Sequence, residues 1–453
     1  MPANREKIEK WSLAYHLLKY YVDCAFKCYY RVRFIEKERI NLIEPLIFAP
    51  NHQNALMDAL AVLCSWNWQP VFLARSDIFN GRLLVKALNF IKMLPVYRMR
   101  DGFSTLQQND ATFRQTMDVI NNRNGLVILP EGSHLAKKRL RPLKKGIARI
   151  AFQAEEASGY NLGIKIVPVG LDYEDYKIIG SNLLVSFGKP VPVEPYLALY
   201  RENPALAYNA LMNDIAEGLD SVMLNFKDEA NHDEVLLLAD IISFYQTGKP
   251  TRHSNAYNIF EKKKALITKL NKLWEDQLPI YFDLIEKTRK LKVLLHQNNL
   301  SHKNIEQLDA NVFLTMVQSF FLFLTLPLFV YSFVNLALPI SLSKYMGSRF
   351  KDRDFHASVR LVVGLVAFPL LFLLQTLGFC IVFGFNINAV IYFVSLVVSL
   401  AVVYRWRRIF YSCCVKLKVI TLQLFKQQIF NELKNQLDGI VETYSFSSKS
   451  HSQ

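Results

Sequence analysis

The sequence predicts an α/β domain with a mostly parallel sheet flanked by helices, followed by a charged helical insert and C-terminal transmembrane helices. Three observations predict this fold class. Short apolar runs alternate with helical stretches between about residues 40 and 225, charged helical sequence fills 226–310, and long apolar blocks follow residue 311. Strands that alternate with helices form parallel sheets, and about 20 apolar residues are enough to cross a bilayer.

These patterns divide the chain into five predicted segments. They are an N-terminal interfacial helix (1–38), the α/β domain (39–225), the charged helical insert (226–310), the transmembrane region (311–405) and a basic amphipathic tail (406–453).

Composition indicates a protein that works at a lipid surface. The 453 residues carry a net charge of +15, and 51% of them are hydrophobic. A basic and apolar chain favours anionic lipid as its partner. We predict no nucleic-acid partner, because the sequence contains no RNP-like, zinc-finger or basic-zipper pattern. The six cysteines form no CxxC pair, which indicates reduced thiols, and we expect no cleaved signal peptide.

Residues 8–34 contain five tyrosines, two phenylalanines and one tryptophan among scattered lysines and arginines. Such a composition is typical of a helix at the membrane interface, where aromatic rings and basic side chains suit the headgroup layer. The alternative is an amphipathic helix that packs on the next domain.

Five apolar runs mark the predicted strands of the α/β domain: LIFAP, PVFLA, GLVILP, GIKIVPVGL and LLVSFGKPV. Ligands of parallel sheets gather at the carboxyl ends of strands. His52 follows the first of these runs, Glu131 follows GLVILP, and Arg98 lies close to the sequence MLPVY. These residues are therefore candidates for one site.

The charged insert is predicted to be a helical hairpin broken near Pro279, with its charges on a solvated face.

Three apolar blocks follow at 312–343, 361–384 and 389–404, and basic residues lie at 344–360 and 405–408. The positive-inside rule puts both basic clusters on the cytoplasmic side. We therefore prefer a re-entrant hairpin turning at Pro327 for the first block, over a single tilted, kinked span. The basic tail is expected to lie along the membrane.

The stretch IFAPNHQNALMD places a histidine, His52, six positions before a carboxylate, Asp58. A histidine at a strand end can act as a general base if a carboxylate fixes its second ring nitrogen as N–H. The alternative for these two residues is a polar cap at the start of a helix.

A second polar stretch, LPEGSHLAKKRLRPLKKGIARIAF, begins at Leu129 and carries seven basic residues between 137 and 149. Ammonium and guanidinium groups suit a phosphorylated ligand, and Gly132 permits close backbone approach. The alternative is a basic face exposed to solvent or lipid.

The order of these pieces resembles the glycerophospholipid acyltransferase family. The pieces are APNHQNALMD, LPVYRMRD, LPEGSH with PLKKG, IVPVGLDY and FGKPV, and together they cover roughly residues 40–225. The variant PEGSH with PLKKGIARIAF is most similar to the fungal-type glycerol-3-phosphate and dihydroxyacetone-phosphate acyltransferases.

The resemblance implies an O-acyltransferase of phosphatidic acid synthesis. From the apolar blocks and the positive-inside rule, we expect it to be membrane-bound with its catalytic domain on the cytoplasmic side. Acyl-CoA or acyl carrier protein would donate the acyl group to a hydroxyl of glycerol-3-phosphate or its 1-acyl ester, without a cofactor. The histidines show no metal-ligand spacing, so we expect no metal. The competing hypothesis is a non-catalytic, lipid-binding membrane scaffold that keeps the fold.

The resemblance also implies residue roles. His52 would be the general base, Asp58 its orienting partner and Arg98 the ligand of the acceptor phosphate. Pro168 would mark the wall near the acyl donor. The remaining members of the implied acceptor pocket are Glu131, Gly132, Ser133, His134, Lys137 and Lys145.

Two positions depart from the family pattern. The aspartate usually follows the histidine by five positions, whereas Met57 occupies that place here and the acid is Asp58. We expect the turn at 51–54 to hold the extra residue. His134 stands where many members have arginine, so Arg98 with Lys137 or Lys145 is expected to supply the charge. The absence of a GxSxG motif argues against a covalent acyl-enzyme.

Overall fold

The computed structural model describes residues 8–96, 106–247 and 256–449. Its strands are β1 (Arg31–Ile35), β2 (Leu46–Pro50), β3 (Val71–Arg75), β4 (Met93–Val96), β5 (Leu126–Val127), β6 (Lys165–Tyr173), β7 (Asn182–Phe187) and β8 (Val191–Pro192). They form one sheet in the order β1-β7-β6-β2-β5-β3-β4, with β8 paired to β6. The predicted fold class is confirmed.

The strands that position the site run parallel. β2 pairs in parallel with β5 and β6, and β3 pairs in parallel with β4 and β5. Their carboxyl ends therefore share one edge of the sheet. β7 is antiparallel to β6, and β1 is parallel to β7.

The longer helices before residue 226 are α1 (Leu13–Tyr29), α2 (Leu56–Leu63), α3 (Arg82–Phe90), α4 (Leu106–Asn121), α5 (Gly146–Ala157), α6 (Leu197–Glu202) and α7 (Pro204–Val222). Later helices are α8 (His232–Thr247), α9 (Ala256–Asp276), α10 (Leu278–Gln297), α11 (His302–Ile305), α12 (Val312–Leu324), α13 (Leu326–Ser348), α14 (His356–Phe383), α15 (Ile387–Phe425) and α16 (Gln427–Lys449).

Alternation along β2 divides the core between the two faces of the sheet. Leu46 and Phe48 point into a cluster that also contains residues of α1 and α2. Ile47 and Ala49 point into a second cluster with residues of α5 and α7. Successive side chains of a strand point to opposite faces of the sheet, so a strand buried on both faces contributes to a core on each side.

The N-terminal helix is shorter than the predicted 8–34. α1 ends at Tyr29, and the alternating sequence RVRFI forms β1, which pairs with β7. One face of α1 is buried through Tyr15, Phe26 and Tyr29, as the packed alternative predicts. Its other face leaves Leu17 63% and Tyr20 70% exposed, which suits a lipid surface.

Contacts divide the chain into two compact units. The first contains Met1–Asn225 with Met346–Leu365, and the second contains Phe226–Tyr345 with Val366–Gln453. The first unit therefore contains the end of α13, the segment that follows it and the start of α14 as far as Leu365.

Within the second unit, three of the sequence predictions can be compared with the helices. The hairpin of the insert breaks at Gln277, next to the predicted Pro279. The first apolar block breaks at Thr325 rather than Pro327, since proline is tolerated in the first turn of α13. In the tail, α16 buries Leu433, Leu437 and Ile440 and packs with α10, and its predicted position along the membrane stays a prediction.

Within the described ranges, three helical segments are long and apolar enough to cross a membrane: Leu326–Ser348, Arg353–Phe383 and Ile387–Phe425. The last continues well past the predicted end at 404, because its basic half prolongs the helix.

Gly170 in β6 tests the packing of α7 on the sheet. A Cβ atom at Gly170 would lie 1.8 Å from the carbonyl oxygen of Val222. Gly170→Ala should therefore lower the free energy of unfolding by about 3 kcal/mol, because backbone must move. Thermal unfolding measures this change. Gly146→Ala is the control, since a Cβ there meets open space and should leave stability nearly unchanged.

Candidate active site

The candidate site begins where β2 ends. Asn51, the next residue, is fully buried and exchanges side-chain hydrogen bonds with the backbone of Leu171 in β6. His52 follows. Its backbone N–H donates to Oε1 of Glu131 at 3.1 Å, and its carbonyl accepts from the N–H of Leu135 at 3.2 Å. The segment after β5 therefore holds the histidine's backbone from both sides.

The side chains of His52 and Asp58 are hydrogen-bonded. Nδ1 of His52 lies 2.8 Å from Oδ2 of Asp58, which is fully buried, whereas His52 keeps 15% of its side chain exposed. The other ring nitrogen, Nε2, is thus left for a substrate. Between the two residues, Ala55, the N-cap of α2, has a positive φ of 44°, which residues other than glycine rarely adopt.

Asp58 is also held by three further donors. The backbone N–H groups of Gln53 and Asn54 each donate to Oδ2 at 2.7 Å, and the hydroxyl of Tyr173 donates to Oδ1 at 2.8 Å. Burial, followed by the charge of Asp58, raises the pKa of Tyr173 well above its usual value. The hydroxyl therefore stays protonated and remains a donor to the carboxylate.

Tyr173→Phe should lower kcat about tenfold while preserving the fold. The substitution keeps the ring and removes one hydrogen bond to a charged group, which is worth about 1.5–3 kcal/mol when fully realised. Steady-state kinetics on purified variants measures the effect. Tyr196→Phe removes a similar hydroxyl from the exposed carboxylate of Asp214 and should leave kcat unchanged.

Arg141 organises the second motif. Its Nε donates to Oε2 of Glu131 at 2.6 Å, and its Nη1 donates to the hydroxyl of Ser133 at 2.9 Å. Burial raises the pKa of Glu131, and the His52 N–H and Arg141 oppose this increase. Gly132 adopts a φ of +72°, which glycine permits without strain. Glu131, Ser133 and Arg141 thus shape the backbone around His52.

His134 is next to His52. Its ring centroid lies 5.5 Å from that of His52 with an interplanar angle of 67°. Asp352 and Asp354 approach it from the segment between α13 and α14, and one possible metal-ligand atom from each of these three residues lies within 4.8 Å of the others.

The structure brings together only part of the predicted set. Lys137 and Lys145 are half-buried and exposed respectively, and no described contact joins their side chains to His52. Arg98 lies outside the described residues. Pro168 lies in β6 and packs near Gly188 and Gly218.

Sequence reasoning missed two groups of residues. Arg141 and Tyr173 both occur in the quoted motifs, but spacing alone did not reveal that they contact Glu131 and Asp58. Asp352 carries no local signal, since it is more than 200 positions from His134 in the sequence.

The fold and the family comparison define the class of protein. Residues 31–172 match the family model described as Acyltransferase, and this match supports the resemblance to the glycerophospholipid acyltransferase family. The recognised resemblance is confirmed.

Particular relatives come from yeast. The chain is 26% identical over 282 residues to "Glycerol-3-phosphate O-acyltransferase 2" of Saccharomyces cerevisiae, covering 58% of this chain and 37% of the relative. It is 27% identical over 143 residues to "Glycerol-3-phosphate O-acyltransferase 1" of the same yeast, covering 31% and 18%. The chain thus spans well under half the length of these relatives.

A solved structure is also similar in part. It is the 1-acyl-sn-glycerophosphate (LPA) acyltransferase PlsC from Thermotoga maritima, with 16% identity and a TM-score of 0.33. The match covers 48% of this chain and 83% of that one.

Proposed function

We propose that the chain is a membrane-bound O-acyltransferase of phosphatidic acid synthesis. It transfers a fatty acyl group from acyl-CoA or acyl carrier protein to a hydroxyl of glycerol-3-phosphate or its 1-acyl ester. The observation that carries this proposal is the 2.8 Å hydrogen bond between His52 and Asp58 in a domain of an acyltransferase family. A scaffold that had lost its chemistry would not need to keep this pair.

The proposed reaction is one direct transfer. Asp58 holds Nδ1 of His52 as N–H, so Nε2 accepts the proton of the acceptor hydroxyl. The hydroxyl oxygen attacks the thioester carbonyl, the C–S bond breaks, and the departing thiolate takes the proton from Nε2. A thioester is already activated, so positioning and one base are sufficient, and the proposal includes no cofactor or metal.

The basic side chains after Glu131 are proposed to attract the acceptor phosphate. Arg141 already pairs with Glu131, which leaves Lys137 and Lys145 with Arg98 as the proposed phosphate ligands. Ammonium groups bind phosphate as point charges and tolerate changes in geometry, as a small, mobile acceptor requires.

Membrane topology can be argued from one contact. Nε2 of His134 lies 3.3 Å from Oδ2 of Asp352, which supports the proposal that the segment between α13 and α14 is on the same side of the membrane as the acyltransferase domain. The described residues before α12 contain no candidate span. We therefore propose that α12 and α13 enter and return on the cytoplasmic side. α12, at about 20 Å, is too short to cross the ~30 Å core alone.

Cysteines introduced one at a time should report this topology in sealed vesicles. Gln297→Cys and Lys351→Cys should react with a membrane-impermeant maleimide from the same side, and Phe385→Cys from the opposite side. Native cysteines are first replaced, and detergent-opened vesicles serve as the control. Labelling of positions 297 and 351 from opposite sides would refute the hairpin.

An acceptor panel tests the activity itself. Membranes containing the chain receive labelled acyl-CoA, or labelled acyl carrier protein, with glycerol-3-phosphate, its 1-acyl ester or dihydroxyacetone phosphate in turn. We expect an acylated product above the level of membranes lacking the chain. No product with any acceptor would support the scaffold hypothesis instead.

A further inference from the structure

The segment that connects α13 to α14 reaches the candidate site at three points. Oδ2 of Asp352 lies 3.3 Å from Nε2 of His134, and the ring of Phe355 meets the His134 ring edge-on at 4.6 Å. The N–H of Ala136 donates to Oδ2 of Asp354 at 3.4 Å. Two apolar helices are thus joined by a segment that contacts active-site residues.

This segment is itself anchored. Asp352 caps the short turn Arg353–Phe355 by accepting the N–H of Asp354 at 2.9 Å. His356 approaches the carbonyl of Phe350 at 3.0 Å. Ala357 and Leu361, in the first turns of α14, are buried in the core cluster that contains Tyr173. Asp352 and Phe355 therefore have a fixed base from which to hold another side chain.

The His134 side chain therefore has two ring contacts and one hydrogen-bonded nitrogen. Its ring lies 5.5 Å from that of His52 and 4.6 Å from that of Phe355, and 16% of its side chain is exposed. With Nε2–H donated to Asp352, a neutral imidazole presents Nδ1 as an acceptor. Among the described residues, no hydrogen-bond partner lies on Nδ1. A nitrogen that accepts hydrogen bonds, next to the general base, suits a hydroxyl group better than a phosphate, because a hydroxyl donates a hydrogen bond and an ionised phosphate oxygen does not.

We propose that Asp352 and Phe355 are positioning residues for His134, and that Nδ1 of His134 accepts a hydrogen bond from the second hydroxyl of the acyl acceptor. The inference rests on the proposed function and deepens it. Glycerol-3-phosphate has two hydroxyls, so one reacts at His52 while its neighbour binds His134. Dihydroxyacetone phosphate and 1-acyl-glycerol-3-phosphate each have a single free hydroxyl and cannot make this second contact. His52 and His134 together therefore select for glycerol-3-phosphate.

Steady-state kinetics on the purified full chain tests the selection. His134→Ala and Asp352→Ala should each raise KM for glycerol-3-phosphate about three- to tenfold, the effect of one hydrogen bond. They should change KM for dihydroxyacetone phosphate less than about twofold. Asp352→Asn keeps a side-chain oxygen that accepts the N–H and should restore most of the preference. Lys351→Ala, an exposed neighbour, is the matched control and should keep both KM values.

A double variant tests whether Asp352 acts by positioning His134 or whether its substitution disturbs the structure of the site in general. Asp352→Ala should have almost no further effect when His134 is already alanine, because both changes remove the same contact. The proposal would be overturned if the two substitutions raised KM independently, so that their factors multiply in the double variant. It would also be overturned if the single variants raised KM equally for glycerol-3-phosphate and dihydroxyacetone phosphate. Activity that is lost with a chelator and restored by Mg²⁺, Mn²⁺ or Zn²⁺ in the wild type but not in Asp352→Asn would also overturn it, because the carboxylates would then be metal ligands.

Equilibrium binding distinguishes failure of this inference from failure of the proposed function. If wild-type protein forms no acyl product at all, the proposed function is wrong. Binding of labelled glycerol-3-phosphate to wild type and Asp352→Ala then decides the inference alone: a three- to tenfold weaker affinity in the variant supports the contact, and equal affinities refute it.

Discussion

His52→Ala should lower kcat for acyl transfer by about 10²–10⁴-fold, which is the usual contribution of a positioned general base. The alanine leaves no group to accept the hydroxyl proton, while the side chains proposed to bind the phosphate remain. KM for the acceptor should therefore change little. Initial rates with labelled acyl-CoA and glycerol-3-phosphate, measured on purified wild type and variant, give both constants.

Folding of the His52→Ala variant must be checked separately. The backbone of His52, rather than its ring, makes the hydrogen bonds to Glu131 and Leu135. Membrane insertion and the thermal unfolding transition should accordingly match those of the wild type. A variant that folds normally and retains more than about a tenth of wild-type kcat would contradict the role given to His52.

Asp58→Ala should damage both folding and turnover. The fully buried carboxylate accepts hydrogen bonds from the N–H groups of Gln53 and Asn54 and from the hydroxyl of Tyr173. Alanine leaves these donors buried without a partner, at about 1–3 kcal/mol each before relaxation. We expect the free energy of unfolding to fall by about 3–5 kcal/mol, as measured by denaturant or thermal unfolding in detergent.

Two further variants show whether that loss of stability is specific to Asp58 and whether it is separable from the loss of activity. Asp77→Ala removes a carboxylate that is 56% exposed and should change stability by less than about 0.5 kcal/mol. Asp58→Asn keeps the shape of the side chain but weakens its hold on Nδ1 of His52, so kcat should fall more than stability. If Asp58→Ala unfolds like the wild type, the buried network does not stabilise the turn as described.

Periodicity predicted most of the sheet because its strands are buried on both faces and read as continuous apolar runs. β1 was missed since RVRFI carries two arginines, and its partner β7 lies about 150 residues later in the chain. β5 is much shorter than the run GLVILP, because only Leu126 and Val127 pair with neighbouring strands. The existence of β1 and the length of β5 therefore depend on the strands they pair with rather than on local composition.

The site was predictable only where its members are close in the sequence or belong to a known motif. Asp58 was identified because it is six residues from His52, whereas the positive φ of Ala55 between them is not indicated by any pattern. Arg141 was visible only as one base among seven. Asp352 and Phe355 meet His134 because the chain leaves and re-enters the first unit, which no local rule predicts.

The most direct test of the central claim compares two neighbouring histidines. Their ring centroids are 5.5 Å apart, but only His52 is hydrogen-bonded to the buried Asp58. Measured side by side with glycerol-3-phosphate, His52→Ala should lose kcat, whereas His134→Ala should keep kcat and show a higher KM. The reverse result, with turnover lost in His134→Ala and kept in His52→Ala, would contradict the assignment of the base.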